Sequence, residues 1–147
     1  MHTQPDGSDE VLALFDREVP ELASGVIEIR GIVRERGRRT IVLVHSPDPA
    51  VDSVGSFIGS RGVRIKAVVR DLANEKVDVV RWSDSVEQLI CHLVTPAKVS
   101  RVALNDRKRR AVIHTSPDYQ SLVLGPGGSR LQLISRLIGW ELEVVSD

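Results

Sequence analysis

The sequence holds one cysteine, Cys91, which excludes an internal disulfide and any cysteine-rich zinc site. Its setting, Leu89-Ile90-Cys91-His92-Leu93, reads as a core position on a helix. Aromatic residues make up only 3% of the chain, too few for the stacked-ring platforms on which many single-strand binders lay their bases. No apolar run approaches the roughly 18 residues of a membrane helix, and the N-terminus lacks the basic-then-apolar pattern of a secretory leader. Membrane insertion and secretion are therefore unsupported, and a cytoplasmic location is expected. Net charge is missing as well, since 20 Lys+Arg offset 20 Asp+Glu, which argues against a polyanion binder that works by overall charge. His2, His45, His92 and His114 show no metal-ligand spacing, and no nucleophile has a partnered base. No enzyme activity, cofactor, metal or small-molecule substrate is expected.

What is present is a repeat. Ile58-Gly59-Ser60-Arg61-Gly62 returns as Leu124-Gly125-Pro126-Gly127-Gly128. Each copy follows a short apolar stretch, opens a helix-period segment, and is succeeded by a strand-like run, Lys76 to Val80 in one case and Glu141 to Val145 in the other. The approaches match too, His45-Ser46-Pro47-Asp48 and His114-Thr115-Ser116-Pro117-Asp118, which read as turn and helix-entry signals. Such self-similarity implies one supersecondary unit built twice. The length of 147 residues, 41% hydrophobic and 27% charged, accommodates two small globular units.

Residues 1–10 (MHTQPDGSDE) are polar and aperiodic and read as a disordered tail. Residues 11–83 form the first unit. A helix over Val11 to Ala23 is interrupted near Pro20, and a hairpin follows, with strands over residues 26–33 and 41–44 and a basic tip at Arg34 to Arg39. A short helix over 52–57 leads into the first loop. Beyond it, Ile65, Val68, Val69 and Leu72 make the stripe of a helix packed on a sheet, and residues 76–82 make a third strand. The second unit, 84–147, opens on a helix capped by Asp84 and Ser85 and limited by Pro96. A strand pair over 99–104 and 111–115 surrounds a second basic tip, Asn105 to Arg110. The second loop follows, then a helix with Leu131, Ile134, Leu137 and Ile138 buried, and a last strand over 141–145.

Gly59 and Gly62 allow a sharp turn and close approach of a ribose-phosphate backbone to the main chain, and the N-terminus of the next helix favours a phosphate. Arg61 adds a full charge and Arg64 could assist, within the run Arg61, Arg64, Lys66, Arg70, which contains no acid. The plainer alternatives are a ligand-free turn between helices and an ordinary wet helix face. In the second loop Pro126 and Gly127 supply no charge, leaving Arg130 as the nearest cation. The segment Gly125 to Ser129 lacks the Gly-Lys-Ser/Thr ending of a P-loop. A duplicated Gly-x-x-Gly between helices is the feature with which K-homology (KH) domains clamp about four nucleotides of single strand.

The phrases Leu14 to Glu21, Gly25 to Ile29, Asp48 to Gly55, Glu75 to Ser83, Thr95 to Val99 and Leu137 to Leu142 resemble the tandem KH region of the bacterial transcription factor NusA, over about Leu14 to Asp147. The resemblance implies an α+β fold of two tandem type II KH domains, each a three-stranded sheet with helices packed on one face. It implies binding of single-stranded nascent RNA that influences elongation, termination or antitermination, with RNA polymerase or other transcription factors as further partners. By position, Gly59, Ser60, Arg61 and Gly62 would form one RNA clamp, and Gly125, Pro126, Gly127 and Gly128 the other. Two departures stand out. The family's second loop usually carries Lys or Arg between its glycines, and NusA proteins carry a polymerase-binding domain and an OB-fold ahead of the KH pair, so the resemblance is to a short NusA-like protein without them. A ribosome-assembly or RNA-chaperone role, or a degenerate KH pair that binds protein, are the alternative functions.

Trp82, Ser83 and Asp84 leave no room for a flexible linker, so a single cooperative thermal transition is expected; calorimetry showing two well-separated transitions would contradict it.

Overall fold

The computed structural model describes residues 6–147, and the chain divides into two compact units, Met1–Trp82 and Ser83–Asp147. The first unit runs α1 (Ser8–Glu18), α2 (Glu21–Ser24), β1 (Glu28–Glu35), β2 (Arg39–His45), α3 (Ser53–Ile58), a 3-10 turn at Ser60–Gly62, α4 (Val63–Asp71) and β3 (Lys76–Arg81). The second repeats it as α5 (Val86–Val94), β4 (Val99–Asn105), β5 (Arg110–Thr115), α6 (Pro117–Leu124), a 3-10 turn at Pro126–Gly128, α7 (Ser129–Ile138) and β6 (Glu141–Ser146). Among the described residues, the only element without a counterpart is the single-turn α2.

Each sheet has three strands, ordered β1-β2-β3 and β4-β5-β6. The first pair in each is antiparallel and the second parallel, the parallel pair being joined by a crossover through two helices. The repeat extends to an irregularity: the register of β1 on β2 slips between Ile29 and Gly31, and that of β4 on β5 between Val99 and Arg101. This is the α+β architecture of two KH-type units expected from the sequence.

The core of the first unit is built from α1 (Val11, Phe15), Val19, β2 (Val42, Val44), α3 (Phe57) and α4 (Val68). Phe15 and Phe57 meet edge to face at 5.0 Å between centroids, a geometry that adds about 1 kcal/mol to the burial of the rings. Of the stripe read on α4, Val68 and Leu72 are buried while Ile65 and Val69 are half-buried; on α7, Leu131 and Ile134 are buried and Leu137 and Ile138 half-buried. Ser85 caps α5 by accepting from the Gln88 amide, and Ser116 precedes Pro117 at the first position of α6. Cys91, expected in the core, is only half-buried on α5, and burial, then Glu87, push its thiol pKa up.

Two expectations need correction. The tail expected over residues 1–10 is helical from Ser8; Met1 to Pro5 lie outside the described residues. Asp6 accepts from the Ser8 amide and hydroxyl and, with its other oxygen, from the Arg34 amide at 2.9 Å, so a polar run that looks aperiodic starts a helix and ties it to β1. Likewise β1 extends through Arg34 and Glu35, which the sequence reading placed in the turn. The reason is an ion pair inside the unit: Arg34 and Glu75 are 4% and 3% exposed and join through Nη2 at 3.0 Å and Nε at 3.1 Å. Thr40 Oγ1 and the Gly37 amide donate to the same carboxylate at 2.7 and 2.8 Å, and Arg34 also donates to the Gly7 carbonyl and pairs with Glu10. By register the second unit places Leu104, Ala111 and Trp140 where the first has Arg34, Thr40 and Glu75, an apolar solution to the same position.

No helix among the described residues is long and apolar enough to cross a membrane.

Burial opposes ionisation of Glu75, but the donors from Arg34, Thr40 and Gly37 outweigh it and hold its pKa below the usual carboxylate range. A depressed folded-state pKa contributes stability that is complete above the unfolded pKa, about 4.3, and is lost as pH falls through the folded value. Glu75→Gln should therefore lose about 3–5 kcal/mol at pH 7. Its deficit against the parent, measured by urea unfolding, should shrink at pH 3; an equal deficit at both pH values would contradict the ionic role.

Candidate nucleic-acid interface

The two loops have nearly the same backbone. Gly59 sits at φ 78°, ψ 170° and Gly125 at φ 71°, ψ 176°, a region open essentially to glycine alone. Arg61 (φ 54°, ψ 26°) matches Gly127 (φ 61°, ψ 21°), and Gly62 and Gly128 are the left-handed N-caps of α4 and α7. The hydrogen bonds repeat as well, from the Gly59 amide to the Gly55 carbonyl and from Gly62 to Gly59, then from Gly125 to Ser121 and from Gly128 to Gly125.

An arginine five residues after the first glycine locks each loop. Arg64 Nη1 donates to the Ser56 carbonyl on α3 at 2.7 Å and pairs with Glu21 at 2.9 Å. Arg130 Nη1 donates to the Leu122 carbonyl on α6 at 2.9 Å, and its Nη2 to the carbonyls of Leu93 and Thr95 at 3.0 and 2.9 Å. In both copies the arginine crosses the loop and bonds the helix before it. A methyl on Gly59 would lie 2.7 Å from Arg64 Cγ, and one on Gly125 2.6 Å from Arg130 Cβ, so the first glycine of each motif makes room for the arginine.

Two of the sequence-predicted site residues thus have structural work. Arg130 is 9% exposed and holds α5, α6 and α7 together rather than standing beside the loop as its phosphate anchor. Arg64 is part-buried with a similar duty. The shared spacing, Gly59 to Arg64 and Gly125 to Arg130, is the sequence signal that identifies them. Ser60, Arg61, Pro126 and Gly127, by contrast, are exposed at the outer corner of each turn.

The charge around the two corners differs. Val63, Lys66 and Arg70 are exposed along one face of α4, three and four residues apart and therefore adjacent, and Arg61 stands at its start. The matching positions on α7 are Ser129, Gln132 and Arg136. Ser60 carries a backbone N–H, whereas Pro126 has none, so the second loop offers one fewer main-chain donor as well as one fewer cation. Among the described residues no group of three or more His, Cys, Asp or Glu could hold a metal ion. His114 accepts at Nε2 from Arg101 at 3.2 Å and lies 3.3 Å from Asp147 through Nδ1, while His45 packs edge-on against Trp82.

Arg61 occupies a left-handed conformation that costs a non-glycine residue about 1 kcal/mol. Arg61→Gly should therefore keep or slightly raise the melting temperature while removing the only side-chain charge between the glycines of the first loop. Gly59→Ala should lower it, by roughly 1–3 kcal/mol of stability, because the methyl and the Arg64 side chain claim the same space. Thermal melts of the two variants check both signs.

The family model of the NusA-like first KH domain matches residues 7–82, and that of the NusA-like second KH domain matches residues 86–147. Among curated relatives, the transcription termination/antitermination protein NusA of Thermus thermophilus is 40% identical over 129 residues, covering 88% of this chain and 33% of that protein. The proteins of the same name from Halalkalibacterium halodurans and Mycobacterium tuberculosis are each 36% identical, covering 91% and 93% of this chain and 35% and 40% of their own lengths. The chain thus spans about a third of the length of the relatives it matches. Among solved structures, the crystal structure of APE1850 superposes with a TM-score of 0.61 at 24% identity, over 88% of this chain and 96% of that one, a likeness of fold. With a loop-and-strut geometry built twice and a match to both NusA domains in order, the chain belongs to the NusA-like KH family.

Proposed function

We propose that this protein is a non-enzymatic RNA-binding factor that holds single-stranded nascent RNA through its Gly-x-x-Gly loops and influences transcription elongation, termination or antitermination. The observation that carries this reading is the exposed corner of the first loop. There Ser60 and Arg61 project at the N-terminus of α4, where helix amides and dipole favour an anion, and Lys66 extends the positive field along the same face, with Arg70 beyond it paired to Asp71 at 3.6 Å. The exposed Val63, at 61%, offers aliphatic surface to a base beside the charge, which suits a protein with few aromatic rings. The second loop serves as the weaker clamp. RNA polymerase or another transcription factor is the proposed protein partner, by analogy with the relatives, which are transcription termination/antitermination proteins.

Binding should favour single strand over duplex. With roughly 3 to 5 phosphates neutralised, the log-log salt slope should fall near −2 to −3.5, at about 0.7 per phosphate. Ser60→Asp with Arg61→Asp should weaken RNA binding by about 1–3 kcal/mol more than Pro126→Asp with Gly127→Asp, the scale of a lost charge-assisted hydrogen bond. Fluorescence anisotropy with a labelled single strand, on variants that melt like the parent, tests this; a salt-independent affinity, or greater damage from the second pair, would overturn the assignment.

A further inference from the structure

The basic tip between β4 and β5 is not used by either loop. In its counterpart in the first unit three of the four arginines are paired with acids: Arg34 is enclosed by Glu75 and Glu10, Arg38 pairs with Glu35 at 2.8 Å, and Arg39 faces Asp78 at 3.4 Å, while Arg36 is exposed. One of these acids, Glu10, comes from the first turn of α1, which carries Asp9 and Glu10. The sequence that begins α1, Ser8-Asp9-Glu10-Val11, is echoed by Ser83-Asp84-Ser85-Val86, but α5 starts only at Val86, with Ser85 as its cap. The first turn of α5 carries Glu87, but among the described residues no ion pair links it to Arg107 or Lys108.

Arg107 and Lys108 consequently point into solvent, exposed. The backbone beneath them is fixed. Lys108 N donates to Asn105 Oδ1 and Arg109 N to the Asp106 carbonyl, at 3.2 and 3.3 Å. Arg109 is held at φ 52°, a conformation that is costly for arginine, with its guanidinium at 3.4 Å from the Ile138 carbonyl at the end of α7 and its own carbonyl accepting from Glu141 N at 2.9 Å. Arg110 is engaged by Glu141 at 2.6 Å. Two braced residues thus support two free cations. Helix α7 has ten residues, about 15 Å; it starts at the second Gly-x-x-Gly loop and ends against Arg109. The unit whose loop has no cation has one uncovered cationic tip, a helix length away.

We propose that Arg107 and Lys108 form a second phosphate contact for a single-stranded nucleic acid held at the Gly125–Gly128 loop, so that the second unit grips the backbone at both ends of α7. This rests on the RNA-binding reading above. A strand filling only one KH site, about four nucleotides, would not reach the tip, whereas a longer strand would.

The test is anisotropy with the full chain and two labelled, unstructured RNAs, of about four and about twelve nucleotides. Arg107→Glu with Lys108→Glu should weaken the longer RNA roughly three- to tenfold, the scale for two exposed charge contacts. It should also reduce the salt slope by about 1.4, at about 0.7 per phosphate, and leave the shorter RNA unchanged. Arg36→Glu with Arg38→Glu, the same charge change at the tip where Arg38 is already paired with Glu35, should have a smaller effect on the longer RNA. If the parent binds both RNAs and the Arg107/Lys108 variant binds them equally well, with an unchanged slope, the inference is wrong and the loop reading survives. If the parent binds neither RNA, both fall. If the variant keeps full RNA affinity but loses binding to polyglutamate, the tip takes an acidic protein segment and the phosphate assignment is overturned.

Discussion

The arginine that follows each Gly-x-x-Gly motif fixes the local architecture of both units. An arginine at this point of a helix would normally lie in solvent, yet Arg64 and Arg130 turn back across the loop and give their guanidinium donors to carbonyls at the end of the preceding helix. Those carbonyls belong to the group that an α-helix leaves without internal partners. The arginine therefore satisfies a helix terminus and sets the angle at which the next helix departs. The first glycine is required because the arginine stem passes where a Cβ would be. Loop shape, helix direction and the exposure of the corner residues follow from this contact.

Around that shared device the two units differ at the turn end of the sheet. The first buries an ion pair, with the Glu75 carboxylate taking donors from Arg34, Thr40 and Gly37. The second has Leu104, Ala111 and Trp140 at the same register positions, with Ala111 and Trp140 buried and Leu104 38% exposed. Replacing a buried ionic cluster by apolar side chains of adequate volume is energetically permissible, since desolvation consumes much of the Coulombic gain. Breaking the cluster at one partner is not, which makes the first arrangement the less forgiving of the two. It also reaches further, because Arg34 contacts the beginning of α1 as well as its own sheet.

The element order, the sheet composition and the two loops were legible in the sequence because each depends on local signals: period-two and period-3.6 apolar patterns, Ser85 as a cap, and glycines where the chain bends. Three features were obscured. The first turn of α1 is polar and is held by Asp6 and Arg34, which are far apart in sequence, so no periodicity announces it. Near the end of β1 is an arginine, Arg34, that looks like turn material until Glu75 is placed next to it. Arg64 and Arg130 were read as cations for a phosphate because charge next to a glycine-rich loop suggests solvent exposure; only the three-dimensional return of the side chain reveals carbonyls as its partners. The repeated interval from first glycine to arginine contained that information.

Pro126 and Gly127 give the second loop a chain that is already shaped for its turn. Proline limits the conformations available before folding, and glycine enters the left-handed corner without strain, so both residues favour the folded form. In the first loop Ser60 is less restricted and Arg61 is held in a conformation it resists. One copy of the duplicated hinge is thus settled for durability and the other retains an energetic deficit together with its charge.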